Sequence, residues 1–196
     1  MTEAKFKITF TEPVLGTSPA NEKVYEDFIS SKAPDAATIT EEIEALGIDG
    51  VAEKGMTLFA KTDELEPFLF DYQVKGFFKG ACGFLRSIPG TASSKLKAYK
   101  KKIDGHIFVF PRQIVFKDYG DLRICQRPLR AQTMQGERVT LAASEEVAAG
   151  ASIEFTVKCL DAADMQLVRE WLDYGELSGI GQWRNSGKGR FTWEEI

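Results

Sequence analysis

The segment GIGQWRNSGKGRF, residues 179–191, holds four glycines within its first eleven positions. Glycine adopts positive φ values and lets another chain approach the backbone closely, so such a loop can aim several N–H groups at one anion. Three cations and an indole ring stand among the glycines, which suits phosphate groups and a stacked base. We call residues 179–190 the glycine loop. Its candidate binding residues are Gly179, Gly181, Trp183, Arg184, Gly187, Lys188, Gly189 and Arg190.

The spacing of these glycines excludes two common phosphate-binding motifs. Gly181 and Gly187 are six residues apart, and Lys188 is followed by Gly189 instead of Ser or Thr, so the Walker-A pattern is absent. A dinucleotide-binding loop follows a strand and opens a helix, whereas this loop follows a predicted helix and leads into a predicted strand. Two interpretations remain: a clamp on a phosphate backbone, or a glycine-rich hairpin in which Trp183 only covers the core.

Toward the N-terminus, the apolar pattern predicts one strand and one helix. Phe6, Ile8 and Phe10 alternate with polar residues, which indicates a half-buried strand over residues 5–10. Asp71 can cap a helix whose apolar residues recur at helical spacing: Val74, Phe77, Phe78, Ala81 and Leu85. Residues 18–66 are predicted to be an acidic, helical insertion within a single domain of residues 1–196.

The second half of the chain predicts three further strands and a helix. Residues 107–110 and 114–116 indicate a strand pair, or one long strand interrupted at Pro111. A turn at Ala149-Gly150 is predicted to join a strand over 153–157 to residues 139–141 in a hairpin. Asp161 is predicted to cap the last helix, which residues 190–193 follow as a strand. This order fits an α+β fold of the ferredoxin-like, RRM-like kind, an antiparallel sheet with two packing helices.

The charged residues are segregated along the chain. A formal net charge of −4 argues against coating nucleic acid by bulk charge. Five lysines nevertheless follow one another without an intervening acid, and arginines gather after them: Lys95, Lys97, Lys100, Lys101, Lys102, Arg123, Arg127, Arg130 and Arg138. The pattern permits a local basic face, although a solvated lysine-rich loop would give the same run. We add Arg127 and Arg130 to the candidate nucleic-acid-binding residues.

Composition also predicts the cellular setting. The sequence lacks an apolar run of about 18 residues and a signal-peptide pattern, so we expect a cytoplasmic protein without a membrane partner. Cys82, Cys125 and Cys159 are widely spaced, and the chain has a single histidine. This predicts buried thiols, with neither a metal site nor a cofactor.

Two segments resemble the RAMP superfamily, the RNA-binding subunits of CRISPR complexes. The last helix and the glycine loop resemble the C-terminal glycine-rich loop of that superfamily, and FDYQVKGFFKGA, residues 70–81, is similar to the segment that opens its first helix. Residues 6–16 resemble its first strand and the glycine after it. The resemblance implies guide-RNA binding along the first helix and the glycine loop, which adds Lys75 and Lys79 to the candidates, and assembly of copies side by side. The chain also resembles uncharacterised bacteriophage and prophage proteins.

Three functions are compatible with these patterns. The favoured one is a non-catalytic, phage-type binder of single-stranded RNA or DNA, which interferes with a host CRISPR complex by imitating a subunit. The second is a metal-independent endoribonuclease with His106 as general base. The third is an acidic module that imitates nucleic acid through residues 20–55, with Glu41, Glu42 and Glu44 at its centre.

Overall fold

The computed structural model describes residues 1–19, 56–133 and 136–196, with the backbone alone for Pro19 and residues 129–141. Residues 20–55, which hold the predicted acidic module with Glu41, Glu42 and Glu44, lie outside these ranges. The described strands are β1 (Thr2–Phe10), β2 (Val14–Leu15), β3 (Ser18–Pro19), β4 (Met56–Leu58), β5 (Ala60–Lys61), β6 (Pro67–Phe70), β7 (Ile107–Phe110), β8 (Gln113–Val115), β9 (Arg123–Thr133), β10 (Gly136–Val147), β11 (Ser152–Cys159) and β12 (Phe191–Glu195). The described helices are α1 (Asp71–Leu85), α2 (Tyr99–His106) and α3 (Asp164–Ser178), with 3₁₀ turns at Ser93–Lys95 and Arg184–Ser186.

A four-stranded antiparallel sheet with the order β12-β1-β11-β7 forms the centre of the molecule. The alternation predicted for β1 is confirmed: Phe6, Ile8 and Phe10 are buried, whereas Lys5 and Lys7 lie on the other face. The four strands come from distant parts of the sequence. The sheet therefore brings the segment after β1 next to the glycine loop before β12.

Helices α1 and α3 cover the apolar face of this sheet. The ring of Phe77 on α1 packs at 5.8 Å against that of Phe191 on β12, and Phe78 packs at 5.5 Å against Trp171 on α3. Each fully buried side chain of this size contributes about 1.5–3 kcal/mol relative to leaving it exposed. An α+β fold built on one aromatic core is the result, as the sequence predicted.

Two further sheets flank the central one. The first has the order β2-β10-β4-β3 with β9 paired to β10, and the second has the order β5-β6-β8. Strands β9 and β10 form a long hairpin between β7 and β11. The described ends of the 18–66 range are strands β3, β4 and β5.

The predicted strand pairings after residue 107 were wrong in two places. Residues 139–141 pair with β9 and not with β11, because apolar alternation specifies which face of a strand is buried but not its partner. At the predicted turn, the Gly150 N–H donates to the Phe10 carbonyl at 2.8 Å, which ties the turn to β1. The segments predicted as one long strand or a pair, β7 and β8, belong to different sheets on either side of Pro111.

Helix α3 starts later in the sequence than predicted, and helix α2 was not predicted. Helix α3 begins at Asp164, and Asp161 instead accepts a hydrogen bond from the Ala163 N–H at 3.0 Å. The end of the lysine run folds as α2 and not as a loop. Lys102 Nζ on α2 lies 2.6 Å from the buried Asp164 carboxylate at the start of α3, which pairs one positive charge of the run.

Candidate nucleic-acid interface

The two ends of the glycine loop meet each other closely. Gly179 ends α3 with a φ of +72°, and the Ile180 N–H donates to the Gly189 carbonyl at 2.9 Å. A Cβ atom on Gly179 would lie 2.5 Å from the carbonyl oxygen of Lys188, and one on Gly189 would collide with the carbonyl oxygen of Ile180. The close approach of these two backbones explains why glycine stands at both ends.

The glycine loop is bound to the segment that follows β1. The Gly189 N–H donates to the Pro13 carbonyl at 2.8 Å, and Gln182 Nε2 donates to the Gly16 carbonyl at 3.1 Å. The N–H groups of Gly179, Ile180, Ser186 and Gly187 also donate within the fold. These amides are therefore occupied, and an anion at the loop would depend mainly on side chains.

Arg127 supports the loop from inside the protein. Its guanidinium donates to Ser144 Oγ at 3.0 Å and to Gln182 Oε1 at 3.2 Å, and it lies 4.8 Å from the centroid of the Trp183 ring. The residue is 6% exposed, so it holds Gln182 and Trp183 in place and offers no open surface to a ligand. Its neighbour in the prediction, Arg130, lies in β9 where side chains are not described.

Two other predicted cationic sites have acidic partners. Lys188 Nζ lies 2.6 Å from the Glu146 carboxylate on β10, and both side chains are largely covered. Lys79 Nζ lies 2.5 Å from Asp104 Oδ1, and Lys75 Nζ donates to the Asp104 carbonyl at 3.2 Å. Burial lowers the pKa of Lys75. Lys75 and Lys79 thus both contact Asp104 of α2.

Arg184 and Arg190 differ from these lysines, because no carboxylate pairs with either among the residues that the structure describes. Arg184 reaches across to α1, where a Cβ atom on Gly80 would lie 3.9 Å from its Nη1. Together with α1 it encloses a groove of about 220 Å³. The residues that line this groove are Thr17, Leu69, Gln73, Gly76, Phe77, Gly80, Ile180, Gly181 and Arg184.

Two further depressions adjoin the groove and share residues with it. One, of about 380 Å³, is lined by Phe84, Tyr174, Leu177, Ser178, Arg184, Asn185 and Arg190. The other, of about 450 Å³, is lined by Lys79, Gly80, Gly83, Phe84, Tyr99 and Lys100. No aspartate or glutamate lines any of the three. We call this combined surface the basic face; its cations are Lys79, Lys100, Arg184 and Arg190.

The sequence pattern missed the contribution of α1 to the basic face. Gly76, Gly80 and Gly83 recur at helical spacing and leave the outer surface of α1 open. Each glycine in a helix costs roughly 0.5–1 kcal/mol relative to alanine. Three on one side of a helix were the available signal that this surface must stay accessible.

His106 lies far from the glycine loop. It ends α2 and is about half exposed, with Nδ1 3.6 Å from Oδ2 of the buried Asp164 at the start of α3. The glycine loop begins at the other end of α3, about 21 Å away at 1.5 Å per residue. His106 is therefore not part of the basic face.

Two of the three thiols are buried, whereas Cys125 is partly exposed. Cys82 and Cys159 are buried, and burial raises the pKa of both, that of Cys159 to about 11. Within the described ranges, His, Cys, Asp and Glu side chains form no group of three that could hold a metal ion. Among the described helices, none has the length and apolarity that crossing a membrane requires.

Comparison with known proteins gives a relationship in fold. No protein-family model matches the chain, and no curated protein matches it in a sequence search. Among solved structures, it is similar to a chain from the cryo-EM structure of the Type III-B Cmr-beta bound to cognate target RNA. The TM-score is 0.52 at 8% identity, over 99% of this chain and 61% of that chain. The present chain thus spans under two thirds of the length of its neighbour, and the likeness concerns the fold alone.

Proposed function

We propose that this chain is a non-catalytic protein that binds single-stranded nucleic acid, RNA in preference to DNA, on the basic face. The observation that carries the proposal is the distribution of charge. A protein with a net charge of −4 has a surface lined by four cations and no carboxylate, and of these cations only Lys79 has an acidic partner, Asp104, among the described residues. Phosphate contacts supply most of the affinity in sequence-independent binding, and such a surface suits them.

The strand order supports a ferredoxin-like, RAMP-type domain. In chain order, β1, α1, β7, β11, α3 and β12 follow the strand, helix, strand, strand, helix, strand succession of that fold. The sheet order β12-β1-β11-β7 places the first of these strands between the last and the third. The neighbour in Cmr-beta, whose structure contains target RNA, is consistent with a RAMP relationship and with RNA as ligand. Residues 18–66 are then an insertion between the first strand and the first helix.

The geometry changes which residues should be tested. Arg184 and Arg190 have open surroundings, whereas Lys188 is paired with Glu146 and Arg127 is buried. Reversing the charge of Lys188 would place two acids side by side and disturb the fold. Arg184→Glu with Arg190→Glu removes the free cations without breaking an ion pair among the described residues.

The test is fluorescence anisotropy with labelled single-stranded RNA and DNA at two salt concentrations. The charge-matched control is Lys97→Glu with Arg123→Glu, two exposed cations that lie outside the lining of the basic face and have no ion pair among the described residues. We expect salt-dependent binding of the wild type, with a log–log slope of about −0.7 per phosphate contact. The Arg184 and Arg190 variant should lose binding and the control should keep it. Absence of binding in the wild type, or loss only in the control, would refute the proposal.

The biological partner is proposed on the resemblance to phage proteins and to RAMP subunits. A phage-encoded copy of this fold would occupy a subunit position, or a stretch of guide RNA, in a host CRISPR effector complex. Size-exclusion chromatography of a reconstituted effector complex with the purified protein tests this. Co-elution that the Arg184 and Arg190 variant loses is the expected result, and separate elution at every concentration would contradict it.

The contact between His106 and Asp164 keeps an endoribonuclease as the second candidate. A carboxylate beside one imidazole nitrogen can orient the ring as a general base. Incubation of labelled RNA with wild type and with His106→Ala decides between the two functions. We expect no cleavage by either protein; cleavage by the wild type that the variant lacks would establish the enzyme instead.

A further inference from the structure

We propose that the ring of Phe84 is a stacking site for one nucleobase, backed by Tyr174 and placed beside phosphates that Arg184 and Arg190 bind. This inference rests on the proposed nucleic-acid binding and adds where a base is held. It also names a residue for which no charge or glycine pattern gives a reason.

Phe84 is exposed where its helix would be expected to bury it. Phe77, seven residues earlier on the same side of α1, is 5% exposed, whereas Phe84 is 60% exposed. Its ring lies 6.1 Å from that of Tyr174, with 25° between the ring planes. The Tyr174 ring packs beside that of Phe84, and the exposed part of Phe84 remains accessible to a planar ligand.

The polar groups around this pair match a nucleotide. The depression beside the rings is lined by Ser178 and Asn185, which can bond to base edges or ribose, and by Arg184 and Arg190. Neither arginine has a carboxylate partner within the described residues, so both are free to bind phosphate. An apolar peptide would use the rings but leave the two cations unpaired, whereas one nucleotide satisfies both kinds of group.

The stacking site continues into the rest of the basic face. Phe84 also lines the depression that holds Lys79 and Lys100, and Arg184 also lines the groove beside Gly76. A strand lying along the open surface of α1 therefore passes Phe84 with cations on both sides. Stacking on an aromatic ring tolerates any base, which suits a binder that reads no sequence.

The experiment compares a strand that has bases with one that lacks them. The probes are a labelled oligouridylate and an abasic ribose-phosphate oligomer of equal length, measured by anisotropy. The variants are Phe84→Ala, the conservative Phe84→Trp, and Phe110→Ala as a control, since Phe110 is a phenylalanine on β7 that is 46% exposed and lies outside the basic face. Thermal melts followed by circular dichroism verify that each variant is folded.

We expect Phe84→Ala to weaken oligouridylate binding about tenfold and to leave abasic binding and the salt slope unchanged, because only the stack is lost. Phe84→Trp should bind like the wild type, and Phe110→Ala should change affinity less than twofold. If Phe84→Ala binds both probes like the wild type, or if Phe110→Ala is equally impaired, the stacking site is refuted while nucleic-acid binding stands. If the wild type binds neither probe, the proposed function itself fails.

Discussion

Gly187 and Gly189 have similar backbone angles and different surroundings. Their φ values are +89° and +73°, so alanine at either position is strained by about 1–2 kcal/mol. A Cβ atom on Gly187 meets nothing nearer than Arg190 Cζ at 3.9 Å, whereas one on Gly189 collides with the Ile180 carbonyl oxygen. We call the close contact between Gly189 and Ile180 the neck of the loop. The difference between the two alanine variants therefore isolates this contact.

We expect Gly187→Ala to lower the free energy of unfolding by about 1–2 kcal/mol and Gly189→Ala to lower it by a further 1–3 kcal/mol, roughly, because overpacking adds to the strain. Urea denaturation of both variants measures this. Gly189→Ala should also weaken RNA binding in the folded protein. Arg190 directly follows Gly189, and its carbonyl accepts a hydrogen bond from the Thr11 N–H, so a backbone shift at Gly189 displaces a cation of the basic face. Equal losses in the two variants would mean that the neck is not closely packed.

At the scale of the elements, Glu170 holds a 3₁₀ turn against α3. Its carboxylate accepts hydrogen bonds from the N–H groups of Ala92 and Ser93, at 2.6 and 3.0 Å, and from Ser93 Oγ. Ser93 Oγ in turn accepts from Trp171 Nε1 at 2.9 Å. The Glu170 carboxylate therefore accepts three hydrogen bonds from the 3₁₀ turn in the connection between α1 and α2.

Glu170→Ala should lower the free energy of unfolding by about 2–4 kcal/mol, because partly buried donors lose a charged acceptor. Glu176→Ala, an exposed position on the same helix, is the control and should change it by less than about 0.5 kcal/mol. Chemical denaturation of both variants measures the difference. Similar values for the two would show that the turn is held by other contacts.

Glu154 on β11 connects its strand to β1 and to the segment that follows β8. Lys5 Nζ donates to its carboxylate at 2.7 Å and Lys117 Nζ at 2.8 Å. The hydrogen bonds from Lys117 and Lys5 lower the pKa of Glu154 from 4.5 to about 2. The folded-state pKa lies below the unfolded value, so the stabilisation is complete above pH 4.5 and is lost as the pH falls toward 2.

The melting temperatures of wild type and Glu154→Gln, measured across this pH range, check the linkage. The difference in melting temperature in favour of the wild type should be constant above pH 4.5 and shrink steadily below it. In that range the unfolded wild type binds a proton at Glu154 that the folded state does not, whereas glutamine does not titrate. A difference that stays the same down to pH 2.5 would show that the two lysines do not perturb the carboxylate.

The sequence predicted which elements exist better than it predicted how they pair. Phe6, Ile8 and Phe10 specify a strand with one buried face, and the spacing from Val74 to Leu85 specifies α1, because both patterns are local. The partner of residues 139–141 depends on β9, which a local pattern cannot identify. Helix α2 was not predicted because a run of lysines has no apolar pattern, and the contact between Lys102 and Asp164 exists only in the tertiary structure.

For the molecule as a whole, the sequence located the glycine loop but did not show which of the candidate cations have partners elsewhere in the fold. The glycines are where the sequence placed the loop, since close approach of two backbones leaves glycine no substitute. The availability of each cation depends on distant residues: Arg127 and Gln182 are 55 positions apart, and Lys188 and Glu146 are 42 apart. Such pairs separate free cations from occupied ones, and no spacing rule reveals them.

The composition of the basic face also fixes how binding responds to pH. Its cations are lysines and arginines, which as residue types keep their charge between pH 6 and 8, whereas histidine does not. RNA affinity should therefore vary less than about twofold over this range at constant ionic strength, measured by anisotropy. A larger change would indicate that a titratable group other than these four cations takes part in binding.

The hydrogen bond from Gln182 to Gly16 joins residues 166 positions apart. During synthesis, β1 emerges early and waits for both of its neighbours in the sheet, β11 and β12, and pairings of such long range form late. The groove between α1 and the glycine loop cannot exist until this last pairing is made. An unfinished chain would therefore lack the proposed binding groove, so the proposed affinity for RNA, including that for its own messenger, would be gained only after this pairing forms.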